Sequence, residues 1–315
     1  MSHSALRCAS GRKLHLDSVI ADPGQNDFTF VIMADPQLGL LERYVEKRTE
    51  PYHWDRDLHC VDRAVALINQ IQPRPIFVLG CGDLVDSQPG HKYRACQTGD
   101  LLGSLSLLDS SIPFISLPGN HDVGDSPNPS DLADYRDTWG DDYYTFETNG
   151  VEFLVLNSQL MWNDSKCKEE SREFQSWFNS ETARIKTNTN QVKIAFQHIP
   201  YFIEQPDEPD DYFNIPLKMR ATYLRNLYEA GVRHVFTGHL HRNVCRTWSP
   251  SGSDSTADPL HLISTSSVSV QLGPDQAGLR FVQICPNPPR IRHAYYSLDQ
   301  LETMLHKAMQ PHFPS

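Results

Sequence analysis

What most constrains this chain is a recurrence: five strand-length apolar runs each give way to a carboxylate, an amide or an imidazole. The run at 28–34 leads into Asp35-Pro36-Gln37, and the run at 76–79 into Gly82-Asp83-Leu84-Val85-Asp86. After 114–117 comes Gly119-Asn120-His121-Asp122. The runs at 192–196 and 232–236 are followed by Gln197-His198 and Gly238-His239-Leu240-His241. Runs of this length, rich in β-branched and aromatic residues and bounded by Gly, Pro, Asp or Asn, read as strands. Polar groups gathered behind them suit the carboxyl edge of an α/β sheet, where ligands and metals bind. Gly82, Gly119 and Gly238 let the backbone turn sharply there and come close to an ion.

Four further runs, at 151–156, 260–263, 279–284 and 290–296, also read as strands. Leu58, Val61, Val65 and Ile68 recur at helical spacing before Pro73 stops the helix. Phe174, Trp177, Phe178 and Ile185 repeat the pattern, as do Leu217, Leu224, Leu227 and Ala230 before Gly231. Strand and helix therefore alternate through the first two thirds, and strands dominate the last third before a helix at 297–309. This predicts an α/β fold with two mixed sheets flanked by helices. No Ser-, Gly- or Pro-rich stretch is long enough to link domains, and 249–255 (SPSGSDS) reads as a hairpin loop. The expected organisation is one domain over 28–298, with a C-terminal helix and tail at 299–315 packed on it. Residues 1–27 form an N-terminal segment whose order the sequence leaves open.

Composition narrows the partners. With 39 acidic against 28 basic residues the net charge is −11, which argues against a nucleic-acid partner. The longest apolar run is 30–34, too short to cross a bilayer. No apolar leader core is seen in the first 27 residues, so the chain is expected to be cytoplasmic. The seven cysteines include no C-x-x-C and are expected to be reduced, mostly buried thiols.

Asp oxygens, an Asn carbonyl and neutral imidazoles, without sulfur, make a mixed nitrogen and oxygen site for divalent metals. His239 and His241, two apart, share a face of an extended segment. Each could serve one of two ions roughly 3.5–4 Å apart, the spacing of two-metal phosphatase centres.

The ordered set D-x-Q, GDxxD, GNHD, a lone His and GHxH, from Asp35 to His241, resembles the signature of the calcineurin-like metallophosphoesterases. A fixed tetrapeptide such as GNHD occurs by chance roughly 0.002 times in a chain of this length, and the other motifs follow in order. DPQ, TWGDDYY, LNSQ, QHIP and the YYSLD tail are similar to the branch whose vertebrate members are cytoplasmic serine/threonine-protein phosphatases. The resemblance implies a four-layer αββα sandwich and two divalent ions (Mn, Mg, Fe or Zn). Asp35, Gln37, Asp83 and His241 would hold the first, and Asp83, Asn120, His198 and His239 the second. A hydroxide on these metals would attack a phosphomonoester of a phosphoprotein, with His121 as general acid and the Asp86 carboxylate orienting it. Asn120 would also meet the substrate.

Two departures stand out. Gln37 occupies a position that is His in most of the superfamily; its harder, weaker carboxamide oxygen favours Mn²⁺ or Mg²⁺. Ser87 follows Asp86 where the large protein-phosphatase subunits carry an arginine that grips phosphate, and Arg242 is the expected substitute. The insertions at 40–57, 86–100 and 203–216 should rim the pocket, offering Tyr52, Trp54, Tyr93, Tyr212 and Phe213 to substrate. A phosphodiesterase or nucleotide hydrolase on the same metals, and a non-catalytic scaffold, are the alternatives. No G-x-S-x-G elbow, P-loop or dinucleotide fingerprint is present.

Overall fold

The computed structural model describes residues 5–16, 27–189, 191–250, 258–286, 288–307 and 309–313. In chain order the elements are β1 (Phe28–Met33), α1 (Asp55–Ile68), β2 (Val78–Cys81), α2 (Arg94–Leu105), β3 (Phe114–Leu117), α3 (Asn120–Val123) and α4 (Pro129–Trp139). Then come β4 (Tyr144–Thr148), β5 (Val151–Val155), α5 (Ser158–Trp162), α6 (Lys168–Lys186), β6 (Val192–Phe196), α7 (Leu217–Glu229) and β7 (His234–Thr237). The chain closes with β8 (Val244–Trp248), β9 (Leu260–Ser264), β10 (Gly278–Pro286), β11 (Pro289–Ser297) and α8 (Leu298–His306). A π-helical turn, Leu41–Val45, follows the first motif.

The strands form two mixed sheets, ordered β11-β10-β1-β2-β3 and β4-β5-β6-β7-β9-β8. β1, β2 and β3 run parallel, as do β5, β6, β7 and β9. Period-two alternation sends the side chains of the central strands to two buried faces. Phe28, Phe30 and Ile32 of β1 point into the space between the sheets, whereas Val31 and Met33 point toward the helical layer. Phe153 of β5, Phe196 of β6 and Phe236 of β7 meet Phe30 edge-on, and Phe77 stacks on Phe30 at 4.7 Å. Each such ring contributes about 1.5–3 kcal/mol on burial, so a phenylalanine layer clamps the two sheets.

Ser297 caps α8 by accepting from the Gln300 amide at 3.2 Å, which places the helix start where the sequence predicts it. Residues 5–16 lie against the body: Ala5, Ala9 and Leu14 are buried, and Leu6 bridges to Phe114. The predicted loop at 249–255 falls mainly outside the described residues, between the antiparallel strands β8 and β9. Among the described residues no helix is long and apolar enough to cross a membrane. The cysteines correct an expectation. All seven are unpaired, but only Cys81 and Cys167 are buried, because residue type alone does not say which face of an element a side chain occupies.

Candidate metal centre

β1, β2 and β3 of one sheet and β6 and β7 of the other deliver their following residues to one shared edge. Asp35, Gln37, Asp83, Asn120, His198, His239 and His241 all arrive there, none more than 4% exposed. Eight non-glycine residues among those described have positive φ, and five are Asp35, Gln37, Asp83, His239 and His241, at 39° to 69°. Such conformations cost about 1–3 kcal/mol each and persist where surrounding structure enforces them. The glycines explain how the loops close. Gly82 has φ 78°, and a Cβ on Gly238 would stand 2.7 Å from Asp35 Oδ2.

Asp83, His198 and His239 offer ligand atoms that all lie within 4.8 Å of one another. His198 Nε2 is 3.2 Å from Asp83 Oδ2 and 3.9 Å from Asp35 Oδ1, and His241 Nε2 is 3.4 Å from Asp35 Oδ1. The far nitrogen of each imidazole faces a backbone carbonyl. His198 Nδ1 donates to Cys81 at 2.9 Å, His239 Nε2 to Tyr212 at 3.0 Å, and His241 Nδ1 to Val270 at 2.5 Å. A carbonyl only accepts, so a proton is fixed on that side and the other nitrogen is turned into the cluster. This is the outer-shell arrangement of metal-ligating histidine.

The amides fit the same purpose. Gln37 Oε1 and Asn120 Oδ1 are buried without a hydrogen-bond partner, a costly state that a cation would relieve. Asn120 Nδ2 donates to Asp125 Oδ1 at 3.0 Å and to the Tyr212 hydroxyl at 2.7 Å. Both amide hydrogens are therefore engaged within the protein. Burial works to raise the Asp83 carboxyl, yet His198 and His121 hold it far below the usual range. Burial opposes charge on His198, but the Asp83 and Asp35 carboxylates raise it to about 9. Burial beside His198 keeps His239 at about 3. The cluster thus concentrates positive charge where its carboxylates converge, a proton that a cation would displace.

His121 is the second residue of α3 and is held by its own amide, which donates to Asp83 Oδ1 at 2.8 Å. Its Nδ1 donates to the Asp86 backbone carbonyl at 2.5 Å, while the Asp86 carboxylate stands 3.6 Å away. The expected orienting role therefore passes from the Asp86 carboxylate to its carbonyl. The carboxylate is taken by Arg43, through Nε to Oδ2 and Nη2 to Oδ1. Arg242 is exposed, its stem beside Gly273, and does not line the cavity.

A cavity of about 660 Å³ opens over the cluster. All three predicted insertions reach it, and Tyr52, Tyr212 and Phe213 line it. Trp54 and Tyr93 do not; the Trp54 indole donates to Asp100 instead, at 2.7 Å. Sequence reasoning missed Arg43, Asp125, His91 and Arg94. Arg43, Asp125 and His91 line the cavity, and Arg94 ties the GNHD turn by donating to the His121 and Asp122 carbonyls at 3.0 and 2.5 Å. A contact to a carbonyl leaves no trace in the partner's residue type, and the one signal was that Arg43, His91 and Arg94 lie in predicted rim insertions.

The calcineurin-like phosphoesterase family model matches residues 28–243. The serine/threonine-protein phosphatase CPPED1 of Bos taurus is 38% identical over 276 residues, 87% of this chain and 85% of its own length. The Homo sapiens protein of the same name is 38% identical over 277 residues, with the same coverage. Among solved structures, the purple acid phosphatase PPD1 from yellow lupin seeds shares the fold, with a TM-score of 0.58 at 13% identity over 88% of this chain and 52% of that one. With the family model spanning most of the chain and these relatives matching along most of their own length, the chain belongs to the calcineurin-like phosphoesterase family of hydrolases.

Proposed function

We propose that this chain is a two-metal phosphomonoesterase that removes phosphate from phosphoserine or phosphothreonine in proteins. The carrying observation is the donor set: three imidazoles with their far nitrogens locked on carbonyls, two buried carboxylates and two orphaned carboxamide oxygens. Asp35, Gln37, Asp83 and His241 would hold one ion, and Asp83, Asn120, His198 and His239 the other. Oxygen donors at Gln37 and Asn120 favour Mn²⁺ or Mg²⁺ over softer ions. When bound, such ions supply Lewis-acid polarisation of the phosphoryl group and acidify water.

The chain's own groups do the rest. The Asp86 carbonyl fixes the Nδ1 proton of His121, so Nε2 is the atom that carries the transferable proton to the departing oxygen. The His121 side chain is 12% exposed, enough to meet a substrate in the cavity. Tyr52, Tyr212 and Phe213 offer apolar surface to the residues beside the phosphorylated one. Support for a protein substrate comes from the curated relatives, each named a serine/threonine-protein phosphatase. A cytoplasmic setting suits the exposed, unpaired cysteines.

The test strips the enzyme of metal, restores Mn²⁺, Mg²⁺ or Zn²⁺, and follows p-nitrophenyl phosphate and a phosphothreonine peptide, with Asp83→Asn alongside. Metal-restored hydrolysis of both, lost in the variant, is expected. Metal binding with hydrolysis of neither, or of bis-p-nitrophenyl phosphate alone, would overturn the reading.

A further inference from the structure

Among the described residues Arg43 is the only arginine or lysine lining the cavity; the other ionisable acidic and imidazole side chains there are histidines and the carboxylates of Asp83, Asp86 and Asp125. Its guanidinium uses Nε and Nη2 on Asp86, and Nη1 makes no hydrogen bond among the described residues. The Asp86 side chain is fully buried and that of Arg43 is 40% exposed, so one edge of the fork is anchored in the wall and the other faces the cavity. The anchor is well built. Gln37 Nε2 reaches Asp86 Oδ1 at 3.4 Å, and His121 Nδ1 lies 3.6 Å from the same oxygen. Asp86 thus joins an expected metal ligand, the expected acid and the one permanent cation of the site.

The turn that carries Arg43 is pinned from both sides. Glu42 accepts from the His53 amide at 2.8 Å, and Asp57 accepts from Gly39 at 3.0 Å and from Ser269 at 2.8 Å. π-helical turns of this kind are rare and concentrate at functional sites. A guanidinium held in this way presents its remaining donors in a fixed plane, suited to two oxygens of one anion.

We propose that Arg43 is the specificity-determining residue that reads the charge of the phosphoryl group, gripping the terminal, non-bridging oxygens of a monoester dianion. This rests on the phosphomonoesterase reading and names the group that enforces it. A diester carries one terminal oxygen and one negative charge fewer, so it offers this guanidinium a weaker contact. The same guanidinium replaces the one that Ser87 cannot supply and that Arg242 is placed too far outside to supply.

The experiment compares the metal-loaded wild-type enzyme with Arg43→Gln and Arg43→Lys. It measures calorimetric affinity for inorganic phosphate, kcat/KM for p-nitrophenyl phosphate and its bis ester, and bound metal. In Arg43→Gln, phosphate affinity and the monoester-to-diester ratio should each fall at least about tenfold, the loss of one charge-assisted contact. Metal content should match wild type. Arg43→Lys keeps charge without the fork and should recover part of both losses; it also serves if the glutamine variant fails to fold. Phosphate affinity within about twofold of wild type, or both ester activities falling together, would reduce Arg43 to a brace for Asp86. Wild-type enzyme that hydrolyses neither ester would sink the phosphatase reading instead, while the phosphate affinities would still decide whether Arg43 binds the anion.

Discussion

At the residue scale, the chemistry turns on which atom of a side chain is free. His121 was legible as a candidate acid because it sits inside GNHD, but its orientation was not, since the group that fixes it is the backbone carbonyl of Asp86. A test of the acid role uses the leaving group. His121→Asn should lower kcat about 10²–10⁴-fold on an alkyl phosphate or phosphothreonine peptide. It should spare p-nitrophenyl phosphate far more, because that phenolate departs without a proton; equal losses on both substrates would remove His121 from that role. Gln37 makes a separate prediction. Its Oε1 is buried and unpartnered, so it is placed to accept a cation, yet a carboxamide is a weaker ligand than imidazole. Gln37→His should tighten metal binding in a calorimetric titration, and no gain would count against a ligand role for Gln37.

At the scale of elements, the sequence was clearest where apolar periodicity was strong. α1, α6 and α7 lie where their stripes predicted, whereas α2 did not announce itself. Gly99 and Gly103 interrupt it, and Gln97 and Ser104 occupy buried positions that apolar residues usually fill. α4 had a readable signal: Asn128 caps it, Pro129 starts it, Leu132, Tyr135 and Trp139 face inward, and Gly140 ends it. β8 is an edge strand whose residues are half-buried or exposed, so no apolar run marks it. Residues of both sheets also form an acid-sensitive cluster. His234 of β7 stacks on His261 of β9 at 4.8 Å, and His293 of β11 accepts from Arg280 through Nδ1 at 2.9 Å. Burial first, then the neighbouring histidines, pushes His234 down to about 3; burial and then Arg280 push His293 to about 4. Both values lie below the ordinary 6.5, so the unfolded chain binds more protons in acid. The stability contributed by neutral imidazoles is complete above about pH 6.5 and is lost as pH falls toward those values. Denaturant unfolding at several pH values should show His234→Phe losing less stability than wild type between about pH 6.5 and 4.5, by roughly one proton's dependence. Identical pH slopes would rule the cluster out as the sensor.

At the scale of the whole molecule, the phenylalanine layer holds sheet to sheet, and the candidate metal ligands are drawn from both sheets. Phe153 touches Phe30, Phe77, Phe146 and Phe196 across and along that layer. Phe153→Ala should cost about 3–5 kcal/mol in denaturant unfolding, and a loss under about 1 kcal/mol would mean the layer repacks. Since Asp35, Asp83 and Asn120 follow strands of one sheet and His198, His239 and His241 strands of the other, bound metal should raise the melting temperature. At a hundredfold excess over Kd that is worth about 2.7 kcal/mol; Asp83→Asn should abolish the shift, which scanning calorimetry would show. By itself the sequence determined the α/β class, the order of the motifs and the residues gathered at the sheet edge, because strand periodicity and ligand type are properties of short segments. Only the tertiary structure decided that the Asp86 carbonyl holds His121, that Arg43 rather than Arg242 faces the cavity, and which nitrogen of each imidazole is free. Those outcomes depend on how distant loops pack and on carbonyl groups that every residue shares, so no local pattern of side chains records them.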